Sequence, residues 1–352
     1  VSFHLGVIEG FYGRQWSWAQ RLSLPPLLKS WGYRSYLYAP KGDTSLRSQW
    51  RTPFTPVQRE NLAALAKACC ETGIEWGLGL SPVGLQADYR EGDRDALRQK
   101  LDEIQVLSPN RLWILFDDLP AGNPHLATNQ LAVVDTVRHH CPELQLAVCP
   151  SYYSDDPILE ELFGACPQGY FADLSDGLSA DIDLLWTGSR VISEAYSEQD
   201  MRAAADKLGR LPLLWDNYPV NDGRRSSRFL NISPFQGRPA ALSRLCSGHY
   251  VNPMNQFHLS LPVLQDLPKV YTAQAESFDE RLASALASLP GALADLLQRH
   301  WQDFQRRGLD GMSGAEKQVL AARCDEIAHP AAVELATWLR EGYRFDPECL
   351  TE

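Results

Sequence analysis

The stretch Arg111–Pro120, RLWILFDDLP, sets an apolar and aromatic run, Leu112 to Phe116, directly against two adjacent aspartates. Such a run lacks the alternation of a half-exposed strand. It predicts a strand covered on both faces, as in a parallel sheet wrapped by helices. Asp117 and Asp118 then stand at its carboxyl end, where parallel α/β folds gather their chemistry. Taken alone, the pair has a plainer alternative: one aspartate caps the next helix and the other faces water. The rest of the chain weighs against it.

Outward from that strand, seven more apolar segments are read: Phe3–Gly10, Tyr33–Pro40, Glu75–Pro82, Leu144–Pro150, Ile182–Gly188, Leu211–Trp215 and Cys246–Val251. Helical spacing fills most of the intervals, at Trp18–Trp31, Pro56–Thr72, Asp93–Leu107, Pro124–His140 and Glu198–Leu208. The second of these carries Leu62, Leu65, Ala66 and Cys69 on one face and stops at Gly73. A longer excursion before Ile182 leaves room for an extra strand or turn. Strand, helix and turn recur at the interval of an eight-fold barrel of about 250 residues. The fold expected is therefore α/β: a (β/α)8 TIM barrel over residues 1–270.

After Tyr271 the texture changes to long helical periodicity, with helices expected at Phe278–Leu289, Pro290–Arg307, Ser313–His329 and Pro330–Tyr343. Pro290 and Pro330 suit first turns, and Gly308 and Gly342 suit helix ends. Residues 271–352 thus form a C-terminal α-helical appendage, with Trp301, Phe304 and Trp338 in its core.

Composition excludes several classes. The net charge of −11 over 352 residues argues against nucleic-acid or anionic-membrane partners. The most basic run, Arg224-Arg225 with Arg228, reads as a solvated loop. No apolar segment approaches the roughly 20 residues of a membrane span, and no signal peptide opens the chain. It begins at Val1 without methionine, which leaves room for a trimmed targeting segment. The eight cysteines show no CxxC pair or Cys/His metal spacing and read as reduced core residues of a cytoplasmic-type protein. No G-x-G-x-x-G follows the first strand and no Walker motif occurs, which argues against a dinucleotide site. Neither H-x-H nor H-E-x-x-H is present, so no metal site is expected.

In a barrel, the strand ends gather Gly10, Lys41, Asp117, Asp118, Tyr153, Trp215, Asn217, Asp222 and Asn252 around one mouth. Carboxylates and amides bind hydroxyls, and a tryptophan face packs against a sugar ring. A phosphate would call for several arginines or a glycine-rich loop. The mouth therefore suits a neutral, polyhydroxylated ligand. Glycosidases that supply their own nucleophile need carboxyls about 5 Å apart astride the anomeric carbon, and inverting ones need about 6.5–9.5 Å. Sequence neighbours at one strand end hardly straddle a sugar. A substrate-assisted route fits better, in which a 2-acetamido group attacks its own anomeric carbon while one aspartate orients its N–H and the other donates the proton.

The segments GVIEGFYGRQW (Gly6–Trp16), YLYAPKGD (Tyr36–Asp43), LFDDLP (Leu115–Pro120), CPSYY (Cys149–Tyr153), WTG (Trp186–Gly188) and WDNYPVND (Trp215–Asp222), with VNP (Val251–Pro253), resemble the catalytic domain of glycoside hydrolase family 84. That family includes the protein O-GlcNAcases and bacterial β-N-acetylglucosaminidases once called hyaluronidases. The resemblance runs from Val7 to about Asn252, and its ordered motifs make it specific. It implies an eight-fold barrel and an oxazoline intermediate, with no cofactor. It implies that Asp117 orients the acetamido group and that Asp118 is general acid, then base. Tyr153 would stand by the acetamido oxygen, Trp215 would wall the acetyl pocket, and Gly10, Lys41, Asn217, Asp222 and Asn252 would surround the sugar hydroxyls. Two departures are visible. Gln15 replaces the usual Pro of GRPW, and Gly42 replaces the first Asp of KDD, which is expected to loosen the turn presenting Lys41.

The expected activity is a retaining exo-β-N-acetylglucosaminidase acting on a GlcNAc-bearing glycoprotein, peptide or oligosaccharide, with homodimerisation through the appendage as in some family members. Alternatives are a hydrolase of bacterial polysaccharide, peptidoglycan or hyaluronan-type fragments, a catalytically silent sugar-binding barrel, and a helix-mediated scaffold.

Overall fold

The strands pair in the order in which the chain makes them. The computed structural model describes residues 3–272 and 276–351. Its eight parallel strands are β1 (Leu5–Glu9), β2 (Ser35–Tyr38), β3 (Glu75–Leu80), β4 (Arg111–Leu115), β5 (Gln145–Cys149), β6 (Asp183–Trp186), β7 (Leu213–Asp216) and β8 (Gly248–Val251). They close into a barrel, because Gly6 of β1 pairs with Ser35 on one side and with Tyr250 on the other. Each strand is shorter than its sequence pattern, and the residues that overhang its carboxyl end form the mouth.

The helices between strands carry their own stop and start signals. Helix α1 (Trp18–Trp31) begins at a reciprocal Ser17/Gln20 cap and ends at Gly32 in the left-handed region. Helix α2 (Pro56–Thr72) begins at the same kind of Thr55/Gln58 cap with proline in its first turn. Helices α3 (Glu91–Val106) and α4 (Leu126–His140) connect β3 to β4 and β4 to β5. The excursion before β6 holds no strand: it folds as two short helices, α5 (Ile158–Phe163) and α6 (Tyr170–Gly177). Apolar residues at helical spacing explain this, since Tyr170 and Leu174 are four apart and both buried. Helix α7 (Glu198–Leu208) precedes β7, and the short α8 (Leu242–Leu245) precedes β8.

The barrel interior is filled by aromatic rings. Trp113 packs edge-on against Tyr250 with centroids 4.5 Å apart, and Trp215 lies 6.5 Å further on. Room for Tyr250 comes from Gly6, where a Cβ would overlap the phenol ring. Two buried carboxylates lock strand ends immediately before mouth residues. Glu9 receives Arg21 Nε at 2.9 Å and lies just before Gly10. Asp216 receives Arg238 Nη2 at 2.7 Å and faces His249 Nε2 at 3.0 Å, just before Asn217. Burial opposes charge on Asp216, but the adjoining Arg238 and His249 hold its carboxyl well below the usual range.

Beyond β8, helix α9 (Phe257–Val270) leads to α10 (Phe278–Leu286), α11 (Gly291–Gln302), α12 (Gly308–Gly311), α13 (Gly314–Asp325) and α14 (Pro330–Leu339). Residues 273–275, just past the expected limit at 270, lie outside the described residues, as do 1, 2 and 352 of the expected segments. The single helix expected over Pro290–Arg307 is broken by a π-turn at Asp303–Arg307. A foreign donor accounts for it, since Leu230 N–H takes the Phe304 carbonyl at 3.1 Å. Phe304 and Trp338 are fully buried, and Trp301 packs on Phe278 at 5.0 Å.

The appendage shares its apolar cluster with Leu230, Ile232, Met254 and Leu259 of the preceding segment. Glu334 of α14 accepts the His258 and Leu259 N–H groups at 3.1 and 3.0 Å, satisfying the amino end of α9. The basic loop also serves this junction and is not merely solvated. Arg228 pairs with Asp310 at 2.6 Å and Glu341 at 3.1 Å, while the Arg224 guanidinium covers the Phe345 ring, 5.1 Å from its centroid. Among the described residues no helix is long and apolar enough to cross a membrane.

Candidate active site

All nine mouth residues expected from the sequence line one pocket: Gly10, Lys41, Asp117, Asp118, Tyr153, Trp215, Asn217, Asp222 and Asn252. Each follows or closes a different strand, except that β4 supplies both aspartates and β7 supplies Trp215, Asn217 and Asp222.

The aspartates are held differently. Phe116 extends the β4 ladder by one bond, its N–H reaching the Cys149 carbonyl at 3.0 Å, and the chain then turns sharply. Asp117 is buried at 5% exposure, and its Oδ2 pairs with the equally buried Lys41 ammonium. Its Oδ1 is buried, and among the described residues it has no hydrogen-bond partner. A buried acceptor without a donor costs about 1–3 kcal/mol, so this oxygen of a pocket-lining carboxylate is an open acceptor.

Asp118 is half-buried and adopts φ 57°, the left-handed region, which aspartate tolerates at a cost of about 1–2 kcal/mol. Two phenols offset that cost: Tyr12 Oη donates to Oδ2 at 2.9 Å, and Tyr153 Oη donates to Oδ1 at 2.7 Å. Burial, then the Asp118 charge, pushes both phenol pKa values well up, so both tyrosines keep their protons and remain donors. The consecutive carboxylates thus point into different environments, one clamped by a cation and one bridged by phenols.

Opposite them, Asn217 and Asn252 form a frame. Asn217 Oδ1 accepts from Trp215 Nε1 at 2.9 Å and from Asn252 Nδ2 at 3.0 Å, and its own amide donates to the Val191 carbonyl at 2.9 Å. Asn252 Oδ1 takes the Gly10 N–H at 3.2 Å. Gly10 must be glycine here, because a Cβ would stand 2.6 Å from Trp215 Cζ2. Asp222 Oδ2 accepts the Tyr12 N–H at 2.7 Å. Burial raises its pKa to about 6, with the Asp118 charge adding to the rise and the Tyr12 N–H opposing it. Among the described residues no cluster of three or more His, Cys, Asp or Glu is placed to hold a metal ion.

The sequence matches the family model described as beta-N-acetylglucosaminidase over residues 5–295. The chain belongs to that family. It is 28% identical over 279 residues to the protein O-GlcNAcases of Rattus norvegicus and Mus musculus, a match covering 76% of this chain. The chain spans only 30% of the length of those relatives. A solved structure of an Asp-to-Asn variant of the Thermobaculum terrenum O-GlcNAc hydrolase superposes with a TM-score of 0.78 at 25% identity, covering 96% of this chain and 80% of that one. The structure of CpGH84B superposes with a TM-score of 0.76 at 21% identity, covering 96% and 66% respectively, which bears on the fold alone.

The two departures from the family pattern meet in space. The side-chain amide of Gln15 fills the position that a Cβ on Gly42 would occupy, while its Oε1 accepts from Arg21 Nη2 at 3.2 Å. The turn bearing Lys41 is thus propped from outside rather than loosened. Sequence reading passed over Tyr12, although a phenol two residues beyond the β1 end was a usable signal. It also passed over Cys149, Thr187, Val191, Cys349 and Thr351, all of which line the pocket.

Proposed function

We propose that the chain is a retaining exo-β-N-acetylglucosaminidase that removes O-linked GlcNAc from Ser or Thr of proteins by substrate-assisted catalysis. The observation that carries this reading is the Asp117 carboxylate: Oδ2 is clamped by Lys41, and buried Oδ1 awaits a donor. An acetamido N–H is such a donor. With its N–H held, the acetamido carbonyl oxygen attacks the anomeric carbon from below as the bond to the aglycone oxygen breaks. Asp118 gives that oxygen its proton, and an oxazoline forms, still protonated on the nitrogen whose N–H Asp117 holds. Asp118 then takes a proton from water, which attacks the same carbon and reopens the ring. Two inversions leave the β configuration in place. Trp215, the Asn217–Asn252 frame and Asp222 surround the sugar. Both aspartates line the pocket in different environments, one paired with Lys41 and one bridged by Tyr12 and Tyr153, which supports an enzyme over a silent sugar-binding barrel.

The test is turnover of an aryl β-GlcNAc beside its N-trifluoroacetyl analogue. A steep fall in rate with the poorer acyl nucleophile and a β-configured product are expected. An acyl-independent rate or an α product would overturn the mechanism. A homodimer through the appendage belongs to the same proposal, supported by the exposed Val319 and Val333 of α13 and α14. Light scattering of the purified chain decides it.

A further inference from the structure

The stretch following α14 returns to the mouth. Gly342 N–H closes onto the Thr337 carbonyl at 2.8 Å, and the chain then runs between two arginines. The Arg14 guanidinium lies 4.9 Å from the Tyr343 ring centroid, and that of Arg224 lies 5.1 Å from the Phe345 centroid. A turn at Asp346 redirects it: the Asp346 carboxylate accepts Glu348 N–H and its carbonyl accepts Cys349 N–H, each at 3.0 Å.

Past this turn the side chains alternate. Cys349 and Thr351 are buried at 8% exposure each and line the pocket, while Leu350 between them is 52% exposed. Alternation of this kind is that of an extended backbone with one edge against the mouth. Thr351 Oγ1 donates to Asp118 Oδ1 at 3.4 Å, the oxygen that Tyr153 also holds. With the stretch in place, the cavity measures about 40 Å³, little more than a water molecule needs and far below the roughly 300 Å³ of a small-ligand site.

We propose that residues 343–351 are a built-in occupant of the aglycone side of the pocket, an internal mimic of a polypeptide product that must yield before substrate enters. This rests on the glycosidase reading above. If Asp118 donates a proton to a departing hydroxyl, the group released from a protein glycoside is a Ser or Thr hydroxyl on an extended chain, hydrogen-bonded to Asp118. Thr351 is that group, supplied by the protein itself. Two consequences follow. The groove takes polypeptide aglycones in preference to sugar ones, and the stretch competes with substrate for Asp118.

The experiment uses the full chain and Thr351→Val, which keeps the side-chain volume and removes the hydroxyl. Two readouts are taken: kcat/KM on a GlcNAc-O-Ser peptide and on a β1,4-linked GlcNAc disaccharide, and the alkylation rate of Cys349 followed by peptide mapping. Thr351→Val should raise kcat/KM on the glycopeptide roughly three- to tenfold, the range of one exchanged hydrogen bond. Cys349 should alkylate faster in the variant without any sugar, and faster in the unaltered chain when the glycopeptide saturates it. The glycopeptide should also be the better substrate.

A fall in kcat/KM with Thr351→Val, or slower alkylation of Cys349 under glycopeptide, would overturn the proposal and make the stretch a wall of the site. A preference for the disaccharide would overturn the polypeptide class. If the unaltered chain hydrolyses neither glycoside, the glycosidase reading fails, and the sugar-free alkylation rates still decide whether the Thr351 hydroxyl holds the stretch in place.

Discussion

Replacing Lys41 with methionine tests whether the cation is what keeps Asp117 in position. Both partners are buried at 5% exposure, so Lys41→Met strands a carboxylate whose other oxygen has no donor among the described residues. Removing one member of a buried pair costs about 3–5 kcal/mol, because the survivor keeps its desolvation penalty. The ammonium also lies 5.9 Å from the Tyr12 ring and 5.8 Å from the Trp215 ring, and those contacts go with it. The melting temperature should fall by on the order of 5–10 °C in calorimetry at neutral pH. Activity on an aryl β-GlcNAc should fall by about 10²–10⁴, the worth of a positioned acid–base group. Lys41→Met combined with Asp117→Asn removes both charges. It should recover most of the lost stability and none of the activity, a coupling of about 1–3 kcal/mol between neighbours. The reasoning fails if Lys41→Met alone stays within about 0.5 kcal/mol of the unaltered chain, or if the double variant is no more stable than the single one.

The divided roles proposed for the two aspartates predict that Asp118→Ala loses most activity on poor leaving groups and much less on activated aryl glycosides, whereas Asp117→Ala is impaired on both. A Brønsted plot of kcat/KM against leaving-group pKa reads this, and parallel losses would count against it. The raised pKa of Asp222, about 6, sets a pH window. In the proposed role its carboxyl accepts a sugar hydroxyl, and the ionised carboxylate is the stronger, acceptor-only form, so kcat/KM should rise through about pH 6, and Asp222→Asn should abolish that limb. Stability runs the other way. A carboxyl whose folded pKa exceeds its unfolded value binds its proton more tightly when folded, so its contribution is complete below the unfolded pKa near 3.9 and is lost as pH rises through about 6. Melts of the unaltered chain and of Asp222→Asn across pH 4 to 8 should therefore differ in slope, and equal slopes would refute the assignment.

Much of this is legible in the amino-acid sequence alone. The β4 run is uninterrupted by polar residues because it is covered on both faces, so its end could be placed and Asp117 and Asp118 with it. The same logic found Gly10, Lys41, Tyr153, Asn217 and Asn252, each within a few residues of a strand end. What sequence could not supply was how those groups spend their hydrogen bonds. The resemblance implies a sugar contact for Lys41, and it does not announce that the ammonium also sits on Asp117. It implies the same for Asn217, and it does not announce that this amide ties Trp215, Asn252 and Val191 together. Composition cannot distinguish an amide that frames a pocket from one that faces into it, because either role needs the same donor and acceptor.

The residues missed divide by cause. Tyr12 overhangs a strand like its neighbours, and attention to strand ends alone would have included it. Thr351 is another matter. Its bond to Asp118 spans 233 positions of sequence, and the stretch that carries it has neither helical nor strand periodicity to announce where it goes. Its path is fixed by contacts that are ordinary one at a time: two arginines over two rings, and an aspartate turn. Arg224 and Arg228, read as solvated, hold that junction from the barrel side. The mouth residues follow strand ends, whereas Cys349 and Thr351, which also line the pocket, come from a segment outside the strand–helix repeat. The strand-end rule that makes the chemistry legible is thus the reason its gate is not.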